Sequence, residues 1–258
     1  MDSQLAKKLA GARQLLDPIL GEDKQRPRVP LGHEDADAVL RGGIAPGMLH
    51  EILSGDMSAA AAGFAMGIAA RLRGTKRVLW IRQDYSALEH AEISATGLSE
   101  LGLDPFKVLL LRAADAKDAL CAATDAMSCI ALSSVIIEVP GNPKILDLVA
   151  SRRLALAAQH RGVTAILLRP GAKAEPGAAE TRWTIRTTPS ADIDDWGYPR
   201  FDAELSRNRH GETGRWVMEW SCDDGVFRKP QDGEAQNPRP VASASADGPA
   251  ETAWRHAG

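Results

Sequence analysis

Little in this chain points to a metal site or a disulfide. Its 258 residues include three cysteines, Cys121, Cys129 and Cys222, an odd number without metal-ligand spacing. The first two stand two turns apart on one expected helix, too distant to be bridged. Six histidines are scattered, with no HExxH or paired-ligand pattern, so no metal site is expected. An excess of charge of one sign is missing too. A net charge of −3 excludes any global attraction to DNA or to an anionic membrane, and DNA binding is expected to be weak or indirect. No apolar run approaches the ~20 residues that span a bilayer. Met1 to Leu20 contains Asp2, Lys7, Lys8 and Arg13 in place of the apolar stretch of a signal peptide. The expected setting is a reducing cytoplasm, away from membranes.

What is present divides into four parts. Residues 1–20 are expected to hold an N-terminal helix, Ser3 to Leu16, with Leu5, Leu9, Ala12 and Leu16 at helical spacing and Pro18 stopping it. Such a helix is either a strap on the protein's own core or a docking element for a partner. Residues 21–30 form a polar linker. From residue 31 to 222, short apolar strands alternate with helices, the pattern of a parallel sheet covered on both faces. The expected strands are Met48–Leu53, Arg77–Ile81, Val108–Leu111, Ser134–Val139 and Val163–Arg169. Helices are expected at Ala59–Leu72, Ala87–Leu101 with a break at Gly97, Asp115–Ile130 and Lys144–Arg161. After Arg169 the pattern turns to polar alternation at Thr181–Thr188, Asp202–Arg209 and Arg215–Ser221, with His210–Gly214 as a hairpin loop. The fold class is therefore α/β: a mostly parallel sheet flanked by helices, with an antiparallel C-terminal extension. Residues 223–258 are rich in Pro, Gly, Ser, Ala and charge, and are expected to form a disordered tail.

The segment Glu51 to Ala62 stands where a nucleotide-binding protein carries its phosphate loop. That loop reads G-x-x-x-x-G-K-[ST]: backbone amides close around the phosphates, Lys pairs with their oxygens and the hydroxyl holds magnesium. Here Ser54, Gly55 and Asp56 make the turn, and Ala59, Ala60 and Ala61 fall on the Gly, Lys and Thr positions. This degenerate Walker A motif lacks both cation and hydroxyl, and Asp56 adds a negative charge where phosphate would lie. Phosphoryl transfer is almost entirely positioning and charge stabilisation, so no catalytic residue and no cofactor are expected. Asp84 and Glu138, acids at strand ends, are expected to be relics held by hydrogen bonds. Trp183, Trp216 and Trp220 are expected in the core. Arg152 and Arg153 are either a solvated helix face or a contact for DNA or protein.

The order of elements resembles the RecA core. Gly42-Gly43-Ile44-Ala45-Pro46-Gly47 followed by His50-Glu51-Ile52 is similar to the glycine turn and first strand that precede a RecA P-loop. By that resemblance Asp84, at the end of Trp80-Ile81-Arg82-Gln83-Asp84, stands where RecA-like ATPases carry the water-activating glutamate. Glu138 stands at the Walker B position, which orients magnesium. Arg207-Asn208-Arg209 resembles the Lys-Asn-Lys strand that reaches a neighbour's nucleotide in filaments, and Arg169-Pro170 replaces the Asn-Gln that senses the γ-phosphate.

A closer resemblance is to the ImuA family, RecA-like accessory proteins of bacterial damage-inducible mutagenesis. It rests on Pro46-Gly47-Met48-Leu49-His50-Glu51, Val78-Leu79-Trp80-Ile81 with Asp84-Tyr85, and Leu101-Gly102-Leu103-Asp104-Pro105. Leu146 to Leu154, Thr181-Arg182-Trp183 and Gly214 to Trp220 continue it. The resemblance implies a non-catalytic part in SOS-induced translesion synthesis and DNA repair, through contacts with ImuB, an error-prone replicative-type polymerase and RecA. Leu5, Leu9, Leu16, Arg207, Asn208, Arg209 and Trp254 are the expected contact residues. Two other functions stay open on the residues alone, a divergent RecA-family ATPase and a SulA-like inhibitor of cell division.

Overall fold

The computed structural model describes residues 26–84, 92–189 and 198–230. Nine strands form one mixed sheet in the order β3-β2-β4-β5-β1-β6-β7-β8-β9. β1 (Leu49–Leu53), β2 (Arg77–Gln83), β3 (Val108–Ala113), β4 (Leu132–Glu138) and β5 (Thr164–Arg169) pair in parallel, and β6 (Thr181–Thr187) joins parallel to β1. β7 (Arg200–Asn208), β8 (Gly214–Ser221) and β9 (Val226–Arg228) continue antiparallel. The expected α/β class, with its parallel core and antiparallel extension, is the observed one. β1, β4 and β5 are buried along their whole length, as strands covered on both faces must be.

Each face has its own core. On one side α2 (Ala60–Arg73) packs Phe64, Ala65 and Ile68 against Ile52, Trp80, Ile136, Ile166, Leu168 and Trp183. α1 (Glu34–Val39) and α3 (Ala95–Glu100) add Ala36 and Leu98 to that layer. On the other side α4 (Ala116–Ala126) and α5 (Leu148–Arg161) supply Ala119, Leu120, Ala123, Leu154 and Ala158 against Leu79, Ile81, Val135, Ile137 and Leu167. Residues alternate between the two cores along each strand, as the two-residue period of a strand requires.

α2 carries glycines where the antiparallel strands come closest. A Cβ on Gly67 would lie 2.4 Å from the Phe227 ring. The Phe227 ring centroid lies 4.9 Å from those of both Phe64 and Trp220, tilted on the first and edge-to-face on the second, and Trp183 lies 5.3 Å from Phe64. Trp183 and Trp220 are buried, and the Trp220 indole donates to the Leu101 carbonyl at 2.9 Å. The core expectation for the tryptophans holds for these two, while Trp216 is half-buried at the margin.

Several boundaries differ from the sequence reading. The described end of the expected linker, residues 26–30, joins the fold: Val29 and Ile44 exchange backbone hydrogen bonds at 2.9 Å, and Arg71 donates to the Pro30 carbonyl. The tail of residues 223–258 does not begin at 223, because β9 pairs with β8 and buries Phe227 completely. Burial of one large ring outweighs the polar composition around it. α5 starts at Leu148 and not at Lys144, since the Asp147 carboxylate caps it by accepting from the Ala150 amide at 2.8 Å. α4 stops at Ala126, so Cys129 lies beyond it. Of the helix expected at Ala87–Leu101, the described part is Ala95–Glu100, capped by Ser94. Residues 1–20 and 231–258, including Leu5, Leu9, Leu16 and Trp254, lie outside the described residues.

Candidate functional site

β1 delivers the chain to the turn at Ser54, at the C-terminal end of the parallel strands, where open α/β sheets bind ligands. The turn satisfies its own polar groups. The Ser54 hydroxyl donates to the Asp56 carbonyl at 2.7 Å, and that carbonyl also accepts from the Gly171 amide at 2.9 Å. The Asp56 carboxylate accepts from the Ser58 amide at 3.2 Å and the Ser58 hydroxyl at 2.8 Å. An amide that a phosphate loop would aim at its ligand is thus taken by the chain's own carboxylate. Gly55 is exposed, Ala59 and Ala60 bring only methyl groups, and Ala61 faces the core. α2 opens on Ala59 without a side-chain cap.

The two acids part company. Glu138 ends β4 and is buried among three donors. The Trp80 indole reaches one carboxylate oxygen at 2.8 Å, with the Arg82 Nε 2.9 Å from the same oxygen, and the Arg82 Nη2 reaches the other at 3.2 Å. Trp80 and Arg82 share a strand face, and Arg82 lies opposite Glu138 in the parallel register. The guanidinium neutralises the carboxylate on site. Asp84 lies past the end of β2, is exposed, and has no side-chain partner among the described residues. They do not form an acid pair on a shared ligand.

A second buried carboxylate was missed by the sequence reading. Glu51 on β1 accepts from Arg169 of β5 at 2.9 Å and from Arg182 of β6 at 2.6 Å, with all three side chains almost wholly buried. Arg169 shares strand parity with Ala165 and Leu167, which pack in the core under α4 and α5. Arg169 therefore turns to the face opposite α2. Its other nitrogen donates to the Gly141 carbonyl and the Glu175 carboxylate, each at 3.1 Å. Arg182 also donates to the Glu175 carbonyl, and the Ser151 hydroxyl accepts from the Ala178 amide at 2.8 Å. The Asn142 side chain and Arg169 hold the Glu175 carboxyl below the usual carboxylate range. Together these bonds pin the loop between β5 and β6. The signal in the sequence was a lone acid and two lone arginines inside apolar strands, where an unpaired charge is too costly to keep.

His50, also on β1, is fully buried. Its Nε2 lies 2.9 Å from the Ala45 carbonyl and its Nδ1 2.8 Å from the Thr181 hydroxyl. A carbonyl can only accept, so Nε2 carries the proton and Nδ1 accepts from Thr181. Burial drives its pKa from 6.5 down to about 4, so the ring stays neutral.

Of the expected contact strand, Arg207 is half-buried and donates to the Gly177 carbonyl at 2.7 Å. Asn208 donates to the Val39 and Glu212 carbonyls at 3.2 and 3.0 Å and so closes the β7–β8 hairpin onto α1. Arg209 alone is exposed with a free side chain among the described residues. An open depression of about 260 Å³ lies elsewhere, lined by Thr187, Thr188, Asp202, Arg215, Trp216 and Val217. Its two charges are spent on each other, since the Arg215 Nε donates to Asp202 at 2.7 Å. Among the described residues no group of three His, Cys, Asp or Glu could hold a metal ion, and no helix is long and apolar enough to cross a membrane.

No family model matches the chain. Two curated relatives do, both named Protein ImuA, from two strains of Caulobacter vibrioides. Each is 30% identical over 213 residues, covering 75% of this chain and 83% of the relative.

Proposed function

The chain belongs to the ImuA family, and on that premise we propose that it is a non-catalytic, RecA-like accessory protein of SOS-induced translesion synthesis. It acts in the cytoplasm through contacts with ImuB, an error-prone replicative-type polymerase and RecA. One observation carries the non-catalytic half of this reading. The carboxylate at the magnesium-orienting position is paired with Arg82 and Trp80, and in the turn after β1, two strands away, Ala60 replaces the phosphate-binding lysine. A nucleotide site without its cation, and with its acid already neutralised, leaves positioning and charge stabilisation with no agent. The scaffold then serves to present surfaces.

Two measurements test the reading. Purified full-length chain should show no ATP turnover with or without single-stranded DNA, and it should bind purified ImuB in a titration. Turnover that vanishes in Glu138→Gln would reinstate the divergent ATPase. Failure to bind ImuB or the polymerase would remove the accessory role.

A further inference from the structure

α5 buries Ser151, Leu154 and Ala158 and leaves Val149, Arg152, Arg153, Leu156, Gln159 and His160 exposed on the opposite side. Val149 is 55% and Leu156 66% exposed, with Leu148 at 38% and, just before the helix, Ile145 at 44%. Between Val149 and Leu156, at spacings of three and four residues, stands Arg152, with Arg153 beside it; both are exposed. Neither has a hydrogen bond or ion pair among the described residues. From Leu148 to Arg161 the helix contains no acidic residue. An exposed helix of this kind ordinarily shows a polar face laced with charges of both signs, and here one sign is missing.

The geometry points to the outer face of α5 as the docking site for an amphipathic helix of a partner protein that carries a carboxylate opposite Arg152. Val149, Arg152 and Leu156 fall on one stripe, the seam that a second helix covers, and a charged residue inside such a seam selects a partner of opposite charge. Nucleic acid would satisfy the arginines but would gain nothing from Val149 and Leu156. Arg26, where the described chain begins, reaches the Arg161 carbonyl at the end of α5. The amphipathic stretch expected at Ser3–Leu16 carries Lys7, Lys8 and Arg13, however, and would bring like charge to the seam. Charge complementarity selects an acidic helix from another protein.

The inference rests on the accessory reading and names a face for one of its partners, so the probe is purified ImuB added to the full-length chain. Hydrogen exchange should slow in residues 145–160. Arg152→Glu and Leu156→Asp should each raise the dissociation constant about tenfold or more, as for central anchors of an interface, with Arg152→Lys retaining most of the affinity and every variant melting with the wild type. Binding within twofold of wild type in both disruptive variants overturns the assignment, as does protection confined to another surface such as the β3 edge. Absence of binding by the wild-type chain overturns the accessory reading together with this face.

Discussion

Two of the buried carboxylates, Glu138 and Glu51, lie on opposite faces of the sheet and have been put to different uses. Glu138 faces the α2 side and is answered within two adjacent strands by Arg82 and Trp80. Glu51 faces the α5 side and is answered by arginines from two flanking strands, Arg169 and Arg182, which also hold the loop leading into the antiparallel half. The first is a local neutralisation at the end of β4, and the second is a brace between the two halves of the sheet. A strand-end acid beside a phosphate-loop turn invites a catalytic interpretation, yet its surroundings decide what it can do. Both pairs are too buried to tolerate the loss of one member, because the remaining charge has no water to turn to.

The largest effect should come from breaking the brace. Glu51→Leu leaves two buried guanidiniums facing each other, and a destabilisation of about 5 kcal/mol is expected. That is a large part of the stability of an ordinary domain. Urea unfolding monitored by tryptophan fluorescence measures it, and a loss below about 1 kcal/mol would show that Glu51 is not the keystone of the cluster. The smaller cluster should respond less. Arg82→Met leaves Glu138 with the indole alone and should cost about 3–4 kcal/mol, whereas Arg82→Met with Glu138→Leu should recover most of that loss. If the double variant is no more stable than the single one, the loss does not come from the carboxylate left unpaired.

A buried group kept neutral gives a third comparison, and acid is its probe. Folded His50 has a pKa of about 4 against an ordinary 6.5, so between those values the unfolded chain binds more protons than the folded one. Its contribution is complete above pH 6.5 and is lost as the pH falls towards 4, with a magnitude of about 3 kcal/mol. The difference between wild type and His50→Gln, followed by urea unfolding from pH 7 to 4, should narrow by that amount. A difference that stays constant with pH would mean the ring is not held neutral.

The layout was legible where local pattern decides it. Apolar strands such as Val135–Ile137 and Ala165–Leu168 announce themselves, and the Ala-rich helix after Ser54 follows from spacing alone. β9 was not legible: three residues between Gly225 and Lys229 form a strand only because Phe227 finds the gap over Gly67. The brace was hidden for another reason. Arg169 and Arg182 are 118 and 131 residues from Glu51, and nothing local marks them as partners until the strand order is known. At the turn itself the sequence shows Ala60 where a phosphate loop carries lysine, but not that Arg82 pairs with Glu138.

The turn at Ser54 gives the last comparison, at the smallest cost to the fold. If the missing lysine were the whole defect, Asp56→Gly with Ala60→Lys would remove the competing carboxylate and restore the cation. Asp56 is exposed and Ala60 half-buried, so stability should change by no more than ~0.5 kcal/mol. The restored lysine could attract phosphate at the first turn of α2, where free amides and the helix dipole already favour an anion. Turnover needs a metal held in place as well, and Glu138 remains locked by Arg82 and Trp80. The expected outcome is therefore tighter nucleotide binding by fluorescence titration with no ATP hydrolysis. Hydrolysis in the double variant would show that Arg82 yields its partner to magnesium, and the two buried carboxylates would no longer be alike in being structural.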